Sequence, residues 1–265
     1  MTTLEIESLV AERWRQDPSR HRAAFENAEP FPLLVFDDFL VPSFAEDLHD
    51  QFPAIDAMPR SRDYMFGNKH ELSSVEAQGP AGQRFHELVL SDWFRSFLHE
   101  ATGHDVFVDP GFFGGGFHQG GDGSFLDMHV DFNMHPLHSD WLRTLNILIY
   151  LSKDWEPSWG GELLVKLDPA DEPRAIEPRF NRAVVMLTSD TTFHGYRKTS
   201  MPPGCTRKSL ATYAYQSIDA GTVPKRTTGW NPEEAGLLKR LTAKHFNSAV
   251  LAKNRVLGSR TAKNR

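Results

Sequence analysis

Two residues apart in the stretch DMHVDF, His129 and Asp131 offer one imidazole and one carboxylate. On a β-strand, positions i and i+2 project from the same face, so both side chains would enter one cavity. One histidine and one carboxylate make two thirds of a 2-His-1-carboxylate triad, the ligand set that leaves coordination positions open on a non-haem Fe(II). An HxD pair alone arises by chance, so the reading depends on partners elsewhere. His194, in TTFHGY, ends a strand-like run far enough downstream for several antiparallel strands to return it beside the pair. Arg207 follows at the start of RKSLATYAY, with Ser209 on its face by alternation and Lys208 facing the other way. An inward arginine on a core strand is costly to bury without an anion, and its planar fork suits a carboxylate held bidentate.

Residues of this kind must be carried by elements that converge. After residue 104 the chain breaks into short segments rich in β-branched and aromatic residues, separated by Gly, Pro, Asp and Asn: GSFLDMHVDF, WLRTLNILIYLS, GGELLVKL, PRAIEP, RAVVMLTS, TTFHGYRK and RKSLATYAYQ among them. This texture predicts an all-β sandwich or barrel over about 104–217. Ahead of it the pattern is helix-rich. Helical spacing covers 3–15, 81–100 and, with Ser43 as N-cap, 43–52, while FPLLVFDDFL (31–40) reads as a short strand. The polar region 50–80 reads as a loop that could form a lid, and the tail from 218 reads as turns followed by a helix over 233–252. One domain over 1–265 is the economical organisation.

The order HxD, RTLNILIYL, WGGELLV, FHGY and RKS resembles the iron(II)/2-oxoglutarate-dependent oxygenase superfamily, in particular its prolyl-4-hydroxylase-like branch. The resemblance covers about residues 104–217 and implies a double-stranded β-helix core of the jelly-roll or cupin-like kind, mainly β with flanking helices. It implies Fe(II) as cofactor, with 2-oxoglutarate and O2 as co-substrates. Position by position, it implies His129, Asp131 and His194 as iron ligands, Arg207 pairing the distal carboxylate of 2-oxoglutarate, and Ser209 as its helper. Thr144, Asn146 and Tyr150, on one face of RTLNILIYL, would line the co-substrate pocket. The implied activity is hydroxylation of an unactivated C–H bond with release of succinate and CO2. The carboxylate of Asp131 argues against halogenation, since related halogenases have Gly or Ala there.

Other polar residues are read against this frame. His135 and His138 follow the metal strand and are expected in a loop, with His135 a candidate at the cavity mouth. His118 and Gln119, in GGGFHQGGDG, could face the cavity. The glycines there do not make a phosphate loop, because no helix and no Lys-Ser/Thr pair follows. Arg60, Arg62, Tyr64 and Arg197 could hold a substrate carboxylate. A small soluble substrate, an amino acid or natural-product intermediate, is expected, with a peptidyl or prolyl hydroxylase as alternative. A zinc hydrolase or isomerase of cupin type would use the same triad but leave Arg207 and Ser209 without an anion, and a non-catalytic binding module would not need the intact set.

The composition, 40% hydrophobic and 24% charged, excludes chain-wide disorder. The single Cys205 cannot form an internal disulfide, the first twenty residues do not read as a signal peptide, and no stretch approaches 18 uninterrupted apolar residues, so a cytoplasmic protein without a membrane partner is expected. The net charge of -6 is uneven, since residues 225–265 alone carry ten Lys/Arg and two acids. That basic stretch is read as a solvated helix and frayed end rather than a nucleic-acid site.

Overall fold

In the computed structural model, which describes residues 6–58 and 60–232, the apolar segments of the sequence become strands of one strongly curled antiparallel sheet. Along the chain these are β1 (Leu33–Phe36), β2 (Arg60–Tyr64), β3 (Gly67–Leu72), β4 (Phe107–Val108), β5 (Gly116–Gly120), β6 (Phe125–Val130) and β7 (Trp141–Tyr150). They continue with β8 (Leu163–Lys166), β9 (Arg174–Ile176), β10 (Arg182–Leu187), β11 (Phe193–Tyr196), β12 (Arg207–Ser217) and β13 (Gly229–Trp230). The hydrogen-bonded order is β1-β10-β7-β12-β5-β3-β6-β11-β8-β9, with β2 on β3, β4 on β12 and β13 on β6. The curl closes β7, β10 and β12 over β6, β8 and β11, the all-β core that the segment pattern predicts, in the jelly-roll form that the resemblance implies.

Strand β7 shows how sequence sets the two faces. Leu145, Ile147 and Ile149 point to the helical side, where they join one large core with Phe36, Phe39, Phe85 and Phe97. Asn146 and Leu148, of opposite parity, line a cavity inside the curl. The helices supply the other half of that core. They are α1 (Glu12–Arg15), α2 (Arg22–Glu26), α3 (Pro42–Asp50), α4 (Gly79–Leu90) and α5 (Asp92–Thr102). Each fully buried Phe or Leu on α4 and α5 contributes roughly 1.5–3 kcal/mol by leaving water, so this layer fixes the outer face of the sheet.

Several element boundaries differ from the sequence reading. The single helix over 81–100 is two helices, because Ser91 takes an extended conformation and its Oγ accepts from the Phe94 amide at 3.1 Å, capping α5. Residues 3–15 do not form one helix, since Val10 forms an isolated bridge with Leu40 that interrupts it. Helix α3 starts at Pro42 after an extended Val41, and Ser43 does not cap it. The region 50–80 is not a loop: β2 and β3 form a hairpin, and β3 is built into the sheet between β5 and β6. The helix expected over 233–252 lies outside the described residues.

Candidate metal and co-substrate site

Strands β6 and β11 pair so that His194 stands directly opposite His129, with ring centroids 4.3 Å apart. The pairing depends on Gly195. A Cβ there would lie 2.6 Å from the Leu126 carbonyl oxygen, at the point where the register shifts between His194 and Tyr196. A larger residue would push β11 away and part the two imidazoles. Asp131 sits one residue beyond the end of β6 and reaches the same point. Its Oδ2 lies 3.2 Å from His194 Nε2, and its Oδ1 3.6 Å from His129 Nε2. The three ligand atoms fall within 4.8 Å of one another, and these are the one such group among the described residues.

Protonation states suit a metal. His129 Nδ1 donates to the Asp127 carbonyl at 2.9 Å, which leaves the Nε2 lone pair facing the centre. Burial, and then neighbouring His194, lower the His129 pKa and keep the ring neutral. Burial works against the charge of Asp131, but Arg143 and His194 outweigh it and hold the carboxyl well below its usual range. Arg143 Nη2 donates to Asp131 Oδ2 at 2.9 Å and Asn146 Nδ2 donates to the same oxygen at 2.7 Å. Arg143 also donates through Nε to Asn146 Oδ1 at 2.9 Å, and its guanidinium lies 3.3 Å from the Tyr213 ring centroid. One anionic and two imidazole ligands on one side of a point, with the carboxylate oriented from behind, fit a divalent iron with open positions.

Arg207 stands in the same cavity, which has a volume of about 120 Å³. It is 7% exposed, donates through Nε to the Gly161 carbonyl at 2.7 Å and through Nη2 to the Tyr150 hydroxyl at 3.3 Å, and no described carboxylate pairs with it. A buried guanidinium satisfied only by neutral groups is suited to an anionic guest. Ser209, two residues along β12, lines the cavity beside it, as do apolar Leu148, Leu163 and Met186. Gly161, at φ +83°, is needed here, since a Cβ would lie 3.0 Å from Thr199 Cγ2 and 3.2 Å from Arg207 Cδ. Polar groups at one end and apolar walls along the side fit a short dicarboxylate such as 2-oxoglutarate.

The structure brings His129, Asp131, His194, Arg207, Ser209, Asn146 and His118 to this cavity. Tyr150 is fully buried behind Arg207 and meets the site through its hydroxyl. Thr144 does not line the cavity, and its hydroxyl donates to the Leu142 carbonyl at 3.1 Å. The reason is a bulge: Ala214 pairs Leu145 and Tyr215 pairs Arg143, so Thr144 is the extra residue of β7 and the alternation flips there. That same flip turns Arg143 inward, which simple alternation from Asn146 does not predict. Gln119 donates to Thr206 Oγ1 at 2.9 Å and lies outside the lining. His135 is buried beside Asp109, Nε2 to Oδ2 3.3 Å, and His138 stacks on Trp141. Both therefore serve the loop after the metal strand, away from the cavity. Arg197 is exposed and also outside the lining.

Residues beyond the expected set complete the enclosure. Lys69 and Glu71 enter from β3, and Thr228 and Trp230 enter from the segment after β12. Trp230 stacks on Phe66 at 5.0 Å and lies 4.9 Å from the His129 ring. Arg226 ties this segment to the metal loop by donating to the Asp131 carbonyl at 2.7 Å and the Ser189 carbonyl at 3.2 Å. Nothing in the turn-rich sequence past Ser217 signals such a role except the isolated tryptophan.

Comparison with known proteins adds to this geometry. Residues 115–215 match the family model described as the 2OG-Fe(II) oxygenase superfamily. Among solved structures, a Pseudomonas putida prolyl-4-hydroxylase is similar with TM-score 0.55 and 17% identity, over 75% of this chain and 98% of that one. A Trichoplax adhaerens prolyl hydroxylase, in complex with a hypoxia inducible factor oxygen degradation domain peptide fragment, gives 0.53 and 15%, over 81% and 94%. A Burkholderia pseudomallei oxidoreductase of the 2OG-Fe(II) oxygenase family gives 0.52 and 15%, over 78% and 95%. At these identities the structures speak to the fold alone, which is prolyl-4-hydroxylase-like. No protein of curated function matches the sequence.

Proposed function

We propose that this chain, whose residues 115–215 match the 2OG-Fe(II) oxygenase superfamily model, is a 2-oxoglutarate-dependent oxygenase that hydroxylates an unactivated C–H bond of a small soluble substrate. The observation that carries the reading is the sharing of one cavity of about 120 Å³ by the His129-Asp131-His194 triad and the buried Arg207, which no described carboxylate pairs. When bound, Fe(II) together with 2-oxoglutarate and O2 supplies oxidation of a C–H bond coupled to release of succinate and CO2. The chain's own residues set the conditions for it. His129, Asp131 and His194 would hold the metal, a ligand set that leaves coordination positions for the co-substrates. Arg143 and Asn146 fix the orientation of Asp131 and keep it anionic. Arg207, Tyr150 and Ser209 would hold the distal carboxylate of 2-oxoglutarate, with Leu148, Leu163 and Met186 along its methylenes.

The small-substrate reading is supported by the size of the cavity, about 120 Å³. The Phe66–Trp230 stack joins the turn between β2 and β3 to the 224–231 segment beside His129 and gives the cavity an aromatic wall there. A second reading, hydroxylation of a prolyl residue in a peptide, is favoured by the fold shared with the Trichoplax prolyl hydroxylase and its bound peptide fragment. Succinate release by the Fe(II)-loaded protein with O2 and 2-oxoglutarate, measured with a panel of small molecules beside a panel of prolyl peptides, decides between them. Stimulation by small molecules supports the first reading, and stimulation confined to peptides replaces it with the second. No described helix is long and apolar enough to cross a membrane.

A further inference from the structure

Past β12 the chain turns back along the metal strand and is fixed to it at several points. β13 pairs Gly229 with Val130 and Trp230 with His129, and the Asn231 amide donates to the Met128 carbonyl at 2.7 Å. Asn133 holds the main chain of the same segment. Its Oδ1 accepts from the Arg226 amide at 2.7 Å, its Nδ2 donates to the Pro224 carbonyl at 2.9 Å, and its own amide donates to the Arg226 carbonyl at 3.3 Å. These bonds dock the segment without the Arg226 side chain, which is directed elsewhere. Its Nη1 donates to the Asp131 carbonyl at 2.7 Å and its Nη2 to the Ser189 carbonyl at 3.2 Å. The first carbonyl belongs to a triad residue. The second opens a turn in which the Ser189 amide donates to Thr192 Oγ1 at 2.8 Å and the Thr191 amide to Ser189 Oγ at 3.1 Å. His194 follows that turn on β11. The ladder between β6 and β11 ends at the His129–His194 pair, and Asp131 lies beyond it. The guanidinium therefore bridges the two chains where main-chain pairing has stopped.

We propose that Arg226 is a positioning residue for the metal centre: by joining the Asp131 and Ser189 carbonyls it fixes the separation of Asp131 from His194, and with it the metal affinity of the triad. The inference rests on the metal reading of the triad and places one of its supports outside the 115–215 match. Arg143 and Asn146 orient the Asp131 side chain through Oδ2, and Arg226 holds the main chain of the same residue. Partners of this kind, one step behind the ligands, set how closely the ligand atoms converge. The planar fork of arginine presents Nη1 and Nη2 to two acceptors at once, which the single ammonium of lysine does not reproduce. Thr228 and Trp230 line the cavity, whereas Arg226 acts on the loops behind it. Its loss changes how tightly the triad closes on a metal and leaves the cavity wall in place.

The test uses the full chain with metal alone. Fe(II) affinity is measured anaerobically by competition with a chelator, and Co(II) bound in place of iron reports the ligand geometry through its visible spectrum. Arg226→Met is expected to hold Fe(II) about tenfold or more less tightly and to shift the Co(II) bands. Arg226→Lys, which keeps the charge and reaches one carbonyl, is expected to fall between Arg226→Met and wild type. The metal-free variants are expected to unfold near the wild-type temperature, because the Asn133 and β13 bonds still dock the segment, while the rise in Tm on adding Fe(II) shrinks. Wild-type Fe(II) affinity in Arg226→Met overturns the proposal. So does weaker binding with an unshifted Co(II) spectrum and a matching fall in metal-free Tm, since the role is then structural only. If Arg226→Met fails to fold, Arg226→Lys is scored by the same measures. Failure of the metal reading is separate, since the wild-type chain itself would then bind neither Fe(II) nor Co(II) at the triad.

Discussion

The two ends of the cavity are built by different parts of the chain. The end that holds the triad and Arg207 comes from β6, β7, β11 and β12, all within 115–215 apart from the last residues of β12, where the superfamily model matches. The other end comes from β3 and from the segment carrying Thr228 and Trp230, both outside that match. The first end has strict geometry: opposed histidines, a carboxylate held by two donors, a guanidinium with no carboxylate partner among the described residues. The second has charge and aromatic surface. Under the proposed function the contrast assigns reaction type to the core and substrate choice to what flanks it, so that the two are separable.

Substitutions can break that separation or sharpen it. The largest effect is expected at the ligands: His194→Ala removes one of three metal donors, and Fe(II)-dependent succinate release should fall to the background of metal-free protein. Next is Arg207→Met, which leaves a co-substrate carboxylate buried without its partner. A loss of about 2–5 kcal/mol in 2-oxoglutarate binding is expected, read by titrating 2-oxoglutarate into the anaerobic Fe(II) protein. Asn146→Ala takes one donor from Asp131 Oδ2 and should weaken Fe(II) affinity about 10- to 100-fold, measured by competition with a chelator. The smallest effect is expected outside the core. Trp230→Ala should raise the half-saturating concentration of the organic substrate more than that of 2-oxoglutarate. The opposite ratio would mean that the flanking segment serves the co-substrate end, and the separation would fail.

The legibility of these two ends in the sequence also differs, for physical reasons. His129, Asp131, His194 and Arg207 were readable because strand alternation and an inward arginine leave a trace in residue order. The inward turn of Arg143 and the loss of Thr144 from the cavity were not readable. A single-residue bulge reverses the alternation, and no residue type in WLRTLNILIYL marks where the extra residue falls. Lys69 and Glu71 were hidden for another reason. A strand whose inward face meets a polar cavity lacks the apolar alternation by which strands are recognised, so β3 read as a loop. Ser91, by contrast, carried a helix cap in plain view, but the continuous apolar spacing of 81–100 concealed the break. Periodicity reports which face is buried and is silent on where a helix changes direction.

The central claim is that one cavity holds Fe(II) on His129, Asp131 and His194 and receives 2-oxoglutarate at Arg207. Anaerobic addition of 2-oxoglutarate to the Fe(II)-loaded protein tests it most directly. A weak visible charge-transfer band is predicted for the wild-type chain, lost in His194→Ala and requiring far more 2-oxoglutarate in Arg207→Met. Absence of the band in the wild-type protein, together with tight retention of zinc, would contradict the account and favour a metal hydrolase built on the same three ligands.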